Sequence, residues 1–146
     1  MQIEIKIDNN FKEPKAVIYT NEVTDEITEF VRQLSDERSN FIAGFKDGTT
    51  ELLEPENIFR IYALNGKVCT ETDSGTFTLR LRLYEVEQRL DDRIFVRISN
   101  SEIINLKKVK NFDLSFVGTI CVKLSNGTVT YVSRRYVAKI KQILGI

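Results

Sequence analysis

From residue 39 onward the chain is a succession of short alternating apolar runs, each broken by turn chemistry. The runs NFIAGFK, TTELLE, NIFRIYAL, KVCTET and TFTLRLR are separated by Asp47-Gly48, by EPEN at 54–57, by Asn65-Gly66 and by Asp73-Ser74-Gly75. Asn-Gly and Asp-Gly tolerate the positive φ of tight hairpin turns, so the pattern predicts a β-meander. LYEVEQRL at 83–90 breaks it, with Leu83, Val86 and Leu90 at helical spacing. Strands are expected to resume at IFVRI, KVKNFDL, VGTICVKLS and TVTYVS. The chain then ends in a helix with Val137, Ile140 and Leu144 on one face. The expected class is mainly β (α+β), an antiparallel sheet with short helices.

The first 38 residues read differently. Ile3, Ile5 and Ile7 alternate with polar residues and predict a strand at 2–7, and KAVIYT predicts a second at 15–20. Residues 22–37 read as a helix, because Val23, Ile27, Phe30, Val31 and Leu34 share one face. Asn21 is its expected N-cap, and Glu22, Asp25 and Glu26 complement the dipole of its first turn. At 146 residues the chain suits one domain with a small appendage. The expected division is a strand-strand-helix segment at 1–38, for dimerisation or regulation, and a main domain at 39–146.

Composition narrows the chemistry. There is no histidine, hence no Ser-His or Cys-His nucleophile pair, no histidine general base and no mixed histidine-cysteine zinc site. Cys69 and Cys121 lie in strand-like runs and read as thiols in a reducing compartment, too few for a disulfide framework or a four-cysteine site. Asp91-Asp92 sits between a helix and a strand and reads as a solvated turn, while Asn126-Gly127-Thr128 reads as a hairpin turn rather than a glycosylation acceptor. The seven glycines stand singly, read here as turn residues, so no glycine-rich phosphate loop is present. No catalytic residue, metal site, cofactor or small-molecule substrate is expected. No signal peptide or membrane span is visible, and a cytoplasmic protein is the expectation.

Net charge is zero but unevenly spread. Residues 1–40 carry 5 Lys+Arg against 9 Asp+Glu, residues 41–90 carry 6 against 8, and residues 91–146 carry 10 against 4. A basic C-terminal segment on an otherwise acidic chain points to one face that meets a polyanion. Arg134 and Arg135 follow Ser133, an expected N-cap, and so occupy the first turn of the last helix. Cations there oppose the helix dipole at a cost of about 0.3 to 1 kcal/mol, and an approaching phosphate reverses the sign. The alternative is that both arginines simply stay solvated.

Two spaced segments carry a family resemblance. FVRISNSEIINLKKVKNF is followed after about twenty residues by VKLSNGTVTYVSRRYVAKIKQIL. Phe95, Arg97, Ser101, Ile104, Asn105 and Leu106, then Gly127, Ser133, Arg134, Arg135 and Tyr136, match the pattern of the LytTR family of bacterial DNA-binding domains, and the resemblance spans about 39–146. Where the family carries a histidine in the first segment, this chain has Ser99.

The resemblance implies an elongated antiparallel fold that lays loops into successive major grooves of duplex DNA, and a bacterial transcription regulator that is not an enzyme. Carried over by position, base reading falls on Asn100 and Arg135, with a third contact from Asn65, Gly66 and Lys67. Arginine can engage guanine O6 and N7, and asparagine can engage adenine N6 and N7 or a phosphate. Ser133 and Arg134 accompany Arg135. Lys107, Lys108 and Lys110 read as phosphate contacts, and Arg97, Ser99 and Ser101 as supports or phosphate ligands near Asn100. Arg80 and Arg82 read as the exposed side of a strand. Phe95, Ile98, Ile104 and Leu106 are expected core. The acidic helix of the first segment should turn away from DNA.

Family members commonly act in pairs on direct repeats, which implies a homodimer, and some stand-alone members are restrained by a membrane-protein partner. Most carry a receiver domain, for which the 40 or so residues before the match are too few. Two rival readings remain at this point. One is a β-rich protein-interaction module with a basic C-terminal face. The other is an enzyme using Asp91, Asp92 or Lys67.

Overall fold

The computed structural model describes residues 1–34 and 41–146. The chain divides into two units, Met1–Arg38 and Ser39–Ile146.

Among the described residues of the first unit one helix forms, α1 (Asp25–Leu34). Thr24 caps it instead of Asn21: its hydroxyl accepts the Ile27 N–H at 3.2 Å and its carbonyl accepts the Thr28 N–H at 2.9 Å. Asp25 and Glu26 occupy the first turn, as dipole complementarity favours. The last residues of the expected helix, 35–37, lie outside the described residues. The strands expected at 2–7 and 15–20 do not form among the described residues. Ile3, Ile5 and Ile7 are 81%, 86% and 94% exposed. Alternation supplies the face of a strand, but a strand also needs a neighbour to take its hydrogen bonds, and none of the described residues pairs with this segment.

The second unit is the β-rich one. Hairpins follow the turn chemistry: β1 (Ile42–Lys46) pairs with β2 (Thr49–Leu53), and β3 (Ile58–Leu64) with β4 (Lys67–Thr72), which pairs with β5 (Gly75–Leu79). A short helix α2 (Leu83–Arg89) leads to β6 (Phe95–Ser99) and β7 (Glu102–Asn105), and a 3-10 turn at Leu106–Lys108 leads to β8 (Val109–Asp113). Then come β9 (Ile120–Leu124), β10 (Val129–Val132) and the helix α3 (Arg134–Leu144). Seven strands form one antiparallel sheet in the order β2-β1-β5-β4-β3-β7-β6, and three form a second, β10-β9-β8.

The larger sheet is covered on both faces. One face carries Ile42, Ile58, Ile61, Phe77 and Ile103, closed by Leu83, Val86 and Leu90 from and just after α2. The other carries Phe59, Val96, Ile98 and Ile104, closed by Ile120, Val122 and Leu124 of the smaller sheet and Ile140 of α3. Strand β7 lies between the two clusters, with Ile103 in one and Ile104 in the other, and all four of its residues are buried. That double burial is why the sequence shows no alternation there and why no strand was expected at 102–105. Phe95, Ile98 and Ile104 are core as expected, with Leu106 packed against it.

Two departures from simple patterning hold this unit together. Gly44 is not a turn residue but sits inside β1, where an added Cβ would come within 2.6 Å of Leu53 Cδ1. Asn105 is fully buried; it donates to the Ile58 carbonyl at 2.9 Å and accepts the Lys107 N–H at 2.9 Å, capping the 3-10 turn.

Between the sheets lies a half-buried ionic cluster. Arg60 reaches Glu71 at 2.6 Å and Glu102 at 3.3 Å, while the other Glu71 oxygen accepts from Thr128 at 2.9 Å and Asn126 at 3.2 Å in the β9–β10 turn. Glu71 thereby ties the larger sheet to the smaller. Burial alone pushes its carboxyl up, but the hydrogen bonds from Arg60, Thr128 and Asn126 and the Arg60 charge outweigh this and hold it below the usual carboxylate range. A depressed acid stabilises the fold above its unfolded pKa and loses that contribution as pH falls through its folded pKa. Glu71→Gln is therefore expected to cost about 1 to 3 kcal/mol at neutral pH. The gap to wild type in urea denaturation should close in acid; a gap independent of pH would show that the charge of Glu71 contributes nothing.

Candidate functional site

Three connections of the second unit meet at one end of the larger sheet. Tyr62 of β3 lies opposite Glu102 of β7, and just beyond them the Ala63 N–H donates to the Ser101 carbonyl at 2.8 Å. The β3–β4 turn and the β6–β7 turn are thus neighbours. The Ser133 N–H donates to the Ile98 carbonyl at 2.9 Å, which sets the start of α3 beside the β6–β7 turn. The Tyr136 hydroxyl donates to Asn100 Oδ1 at 3.3 Å and closes the group.

Each turn has a local cause. Asn65 and Gly66 both take positive φ, 51° and 74°, which an Asn-Gly pair accepts at little cost, and Lys67 follows as the first residue of β4. In the β6–β7 turn the Ser99 hydroxyl accepts the Ser101 N–H at 3.2 Å and lies 3.4 Å from the Ser101 hydroxyl. Arg97 donates to the Asn100 carbonyl at 2.7 Å and to Glu87 of α2 at 2.6 Å. Its side chain is only 16% exposed, so Arg97 braces the turn and does not project a spare guanidinium.

At the start of α3, Ser133 holds the N-cap position with extended backbone, yet its side chain makes no capping bond, contrary to its expected role. The first-turn N–H groups therefore lack a side-chain cap. Arg134 lies against Gly118, where an added Cβ would come within 3.3 Å of its Nε. Arg134 and Arg135 are exposed, and neither has an acidic partner among the described residues. The positive dipole end and two exposed arginines thus stand at a helix start that Tyr136 ties to Asn100. Such a surface suits a polyanion that also offers hydrogen-bonding edges.

Asn65, Lys67, Ser99, Asn100, Ser101, Ser133, Arg134 and Arg135 are thus gathered by the fold, with Arg97 behind them. Lys107 and Lys108 are not. They follow the far end of β7, where Lys108 Nζ lies 5.1 Å over the Phe59 ring and the Lys108 carbonyl accepts from Ser125. Two residues went unassigned in the sequence. Glu87 holds Arg97 and left no signal, because its partner lies across a loop. Tyr136 stood within the matching segment, but only the fold shows its bond to Asn100.

In the acidic turn Asp91 accepts from the backbone N–H and the side chain of Arg93, two residues on, and among the described residues no group of three or more His, Cys, Asp or Glu could hold a metal ion. No helix among them is long and apolar enough to cross a membrane.

Residues 48–145 match the family model described as the LytTr DNA-binding domain. Proteins of Staphylococcus aureus described as uncharacterized HTH-type transcriptional regulators align over 147 residues, covering 100% of this chain and 99% of theirs; identity is 30% in strain NCTC 8325 / PS 47 and 29% in strain MRSA252. A solved LytTr DNA-binding domain from Bacillus cereus superposes with a TM-score of 0.71 at 20% identity, over 74% of this chain and 99% of that one.

Proposed function

The chain belongs to the LytTr DNA-binding domain family, and from that membership we propose how this bacterial transcriptional regulator reads specific duplex DNA. The reading surface is the end of the sheet where the 65–67 turn, the 99–101 turn and the start of α3 adjoin. The observation that carries it is the Tyr136–Asn100 hydrogen bond, which joins two segments 36 residues apart into one edge. Arg135 engages guanine O6 and N7, Asn100 an adenine edge, and Lys67 with Arg134 the flanking phosphates. The regulator works in the cytoplasm, pairs on direct repeats as a homodimer, and uses its acidic N-terminal segment for dimer or regulatory contacts, including restraint by a membrane-protein partner. Lys107 and Lys108 serve phosphates beyond the central edge.

Asn100 is positioned from two sides. Arg97 fixes its carbonyl, and Tyr136 occupies one lone pair of Oδ1, which leaves the side-chain NH2 to donate elsewhere. Tyr136→Phe is expected to weaken binding to the cognate duplex by about 1 kcal/mol. The loss should fall on the base pair read by Asn100 and leave binding to mixed-sequence DNA unchanged. Equal losses on both duplexes would make Tyr136 a general stabilising residue instead.

In-vitro selection from random duplex DNA at two salt concentrations tests the reading as a whole. A recurring motif with salt-dependent affinity is expected. No enrichment and no salt dependence would leave the basic face to a protein partner.

A further inference from the structure

Arg80 and Arg82 read in the sequence as the solvated side of a strand, but the fold gives them company. In the β4–β5 ladder Val68 lies opposite Leu79, so Lys67 and Arg80 are the next positions outward and their side chains share one face of the sheet. β5 ends at Leu79 and the chain bends before α2, with Leu79 and Leu83 buried and Arg80 and Arg82 exposed on either side of half-buried Leu81. The three cations line a shallow groove of about 350 Å³ with Gly66, Val68 and Leu81. The groove begins at the 65–67 turn and so continues the reading edge.

Like charges set across a ladder repel, and sheets ordinarily place an acid among them. Among the described residues none of the three has an acidic partner within ion-pair distance. Glu85 accepts the backbone N–H of Arg82 at 3.1 Å as part of the start of α2, but makes no ion pair with either arginine. The Arg80 guanidinium stands 4.1 Å over the Phe45 ring, which fixes its position while leaving its N–H edge open. The result is a cationic groove without an ion-paired acid among the described residues, next to the proposed reading edge.

We infer that this groove is a phosphate-binding channel, in which Arg80 and Arg82, together with Lys67, take the sugar-phosphate backbone of the duplex that flanks the bases read by the adjoining turns. The inference rests on the DNA reading above. An acidic protein segment has the same charge but would compete with DNA instead of extending its footprint. Phosphate contacts carry no sequence information, so the groove sets affinity and salt dependence and leaves the recognised motif alone.

The test measures binding of the full chain to a mixed-sequence duplex and to the selected duplex over a range of salt. For Arg80→Gln with Arg82→Gln the slope of log K against log salt is expected to become shallower by about 1.8, some 0.9 per phosphate, on both duplexes. Base preferences should stay as in wild type, and Arg80→Lys with Arg82→Lys should restore the slope. Because Arg80 packs on Phe45, Arg82→Gln alone is the second variant, with an expected change of about 0.9. Wild-type slopes in a folded Arg82→Gln protein and in the double variant would overturn the channel. If, in addition, Arg135→Ala still relaxes the motif, the DNA reading survives that failure. Absence of salt-dependent binding by the wild type itself would remove both.

Discussion

Arg135→Ala is expected to lose about 1 to 3 kcal/mol of binding to the cognate duplex and to erase base preference at one position of it. Arg135 is exposed, has no acidic partner among the described residues, and stands in the first turn of α3 next to Tyr136, which bonds Asn100. A bidentate contact to guanine O6 and N7 would be lost with the guanidinium, whereas a lost phosphate contact would weaken every duplex alike. Selection with the variant therefore discriminates the two. A motif that relaxes at one position assigns base reading to Arg135. A motif that is unchanged while all affinities fall reassigns it to the backbone. Asn100→Ala should relax a different position, and the two losses should not be additive, because Tyr136 links the segments that carry them.

The second large effect is on stability. Arg60→Ala is expected to cost about 2 to 4 kcal/mol, somewhat under the range for fully buried pairs because some water reaches the cluster. The Arg60 side chain is 19% exposed and is the cation among two carboxylates, Glu71 at 2.6 Å and Glu102 at 3.3 Å. Its removal leaves like charges facing each other between the sheets. Burial already holds the Glu102 carboxyl above the usual carboxylate range, so the lost cation matters most there. Urea denaturation at neutral pH should show a lower Cm. Adding Glu102→Gln should recover part of the loss, since it removes one of the stranded charges. A loss below 1 kcal/mol, or no recovery in the double variant, would mean that the carboxylates rehydrate freely.

Much of the β-rich unit was legible because its instructions are local. Asn65-Gly66 and Asp47-Gly48 form turns with positive φ at both residues, Leu83 and Val86 face the core from α2, and the basic segment ends in the α3 helix as expected. The paired segments that carried the family resemblance meet at one edge. Residues 42–146 nevertheless contain no helix-turn-helix: five strands stand between α2 and α3, so turns and a helix start form the edge. Strand β7 was not legible, since a segment covered on both faces has no period to detect.

What the sequence determined by itself was the alphabet of turns, the two helices of the main unit, the absence of histidine chemistry and the gathering of positive charge toward the C-terminus. All of these depend on residues within a few positions of one another, or on composition. Tertiary structure decided which charges stay available. Arg97 is spent on Glu87 and the Asn100 carbonyl, Arg60 on Glu71 and Glu102, while Arg80, Arg82, Arg134 and Arg135 form no ion pair among the described residues. It also decided that the isoleucines of 2–7 face water and that Lys107 and Lys108 stand apart from the reading edge. The reason is that a charge's partner, like a strand's neighbour, is supplied by residues distant in the chain, and pairing across such distances leaves no mark in local pattern.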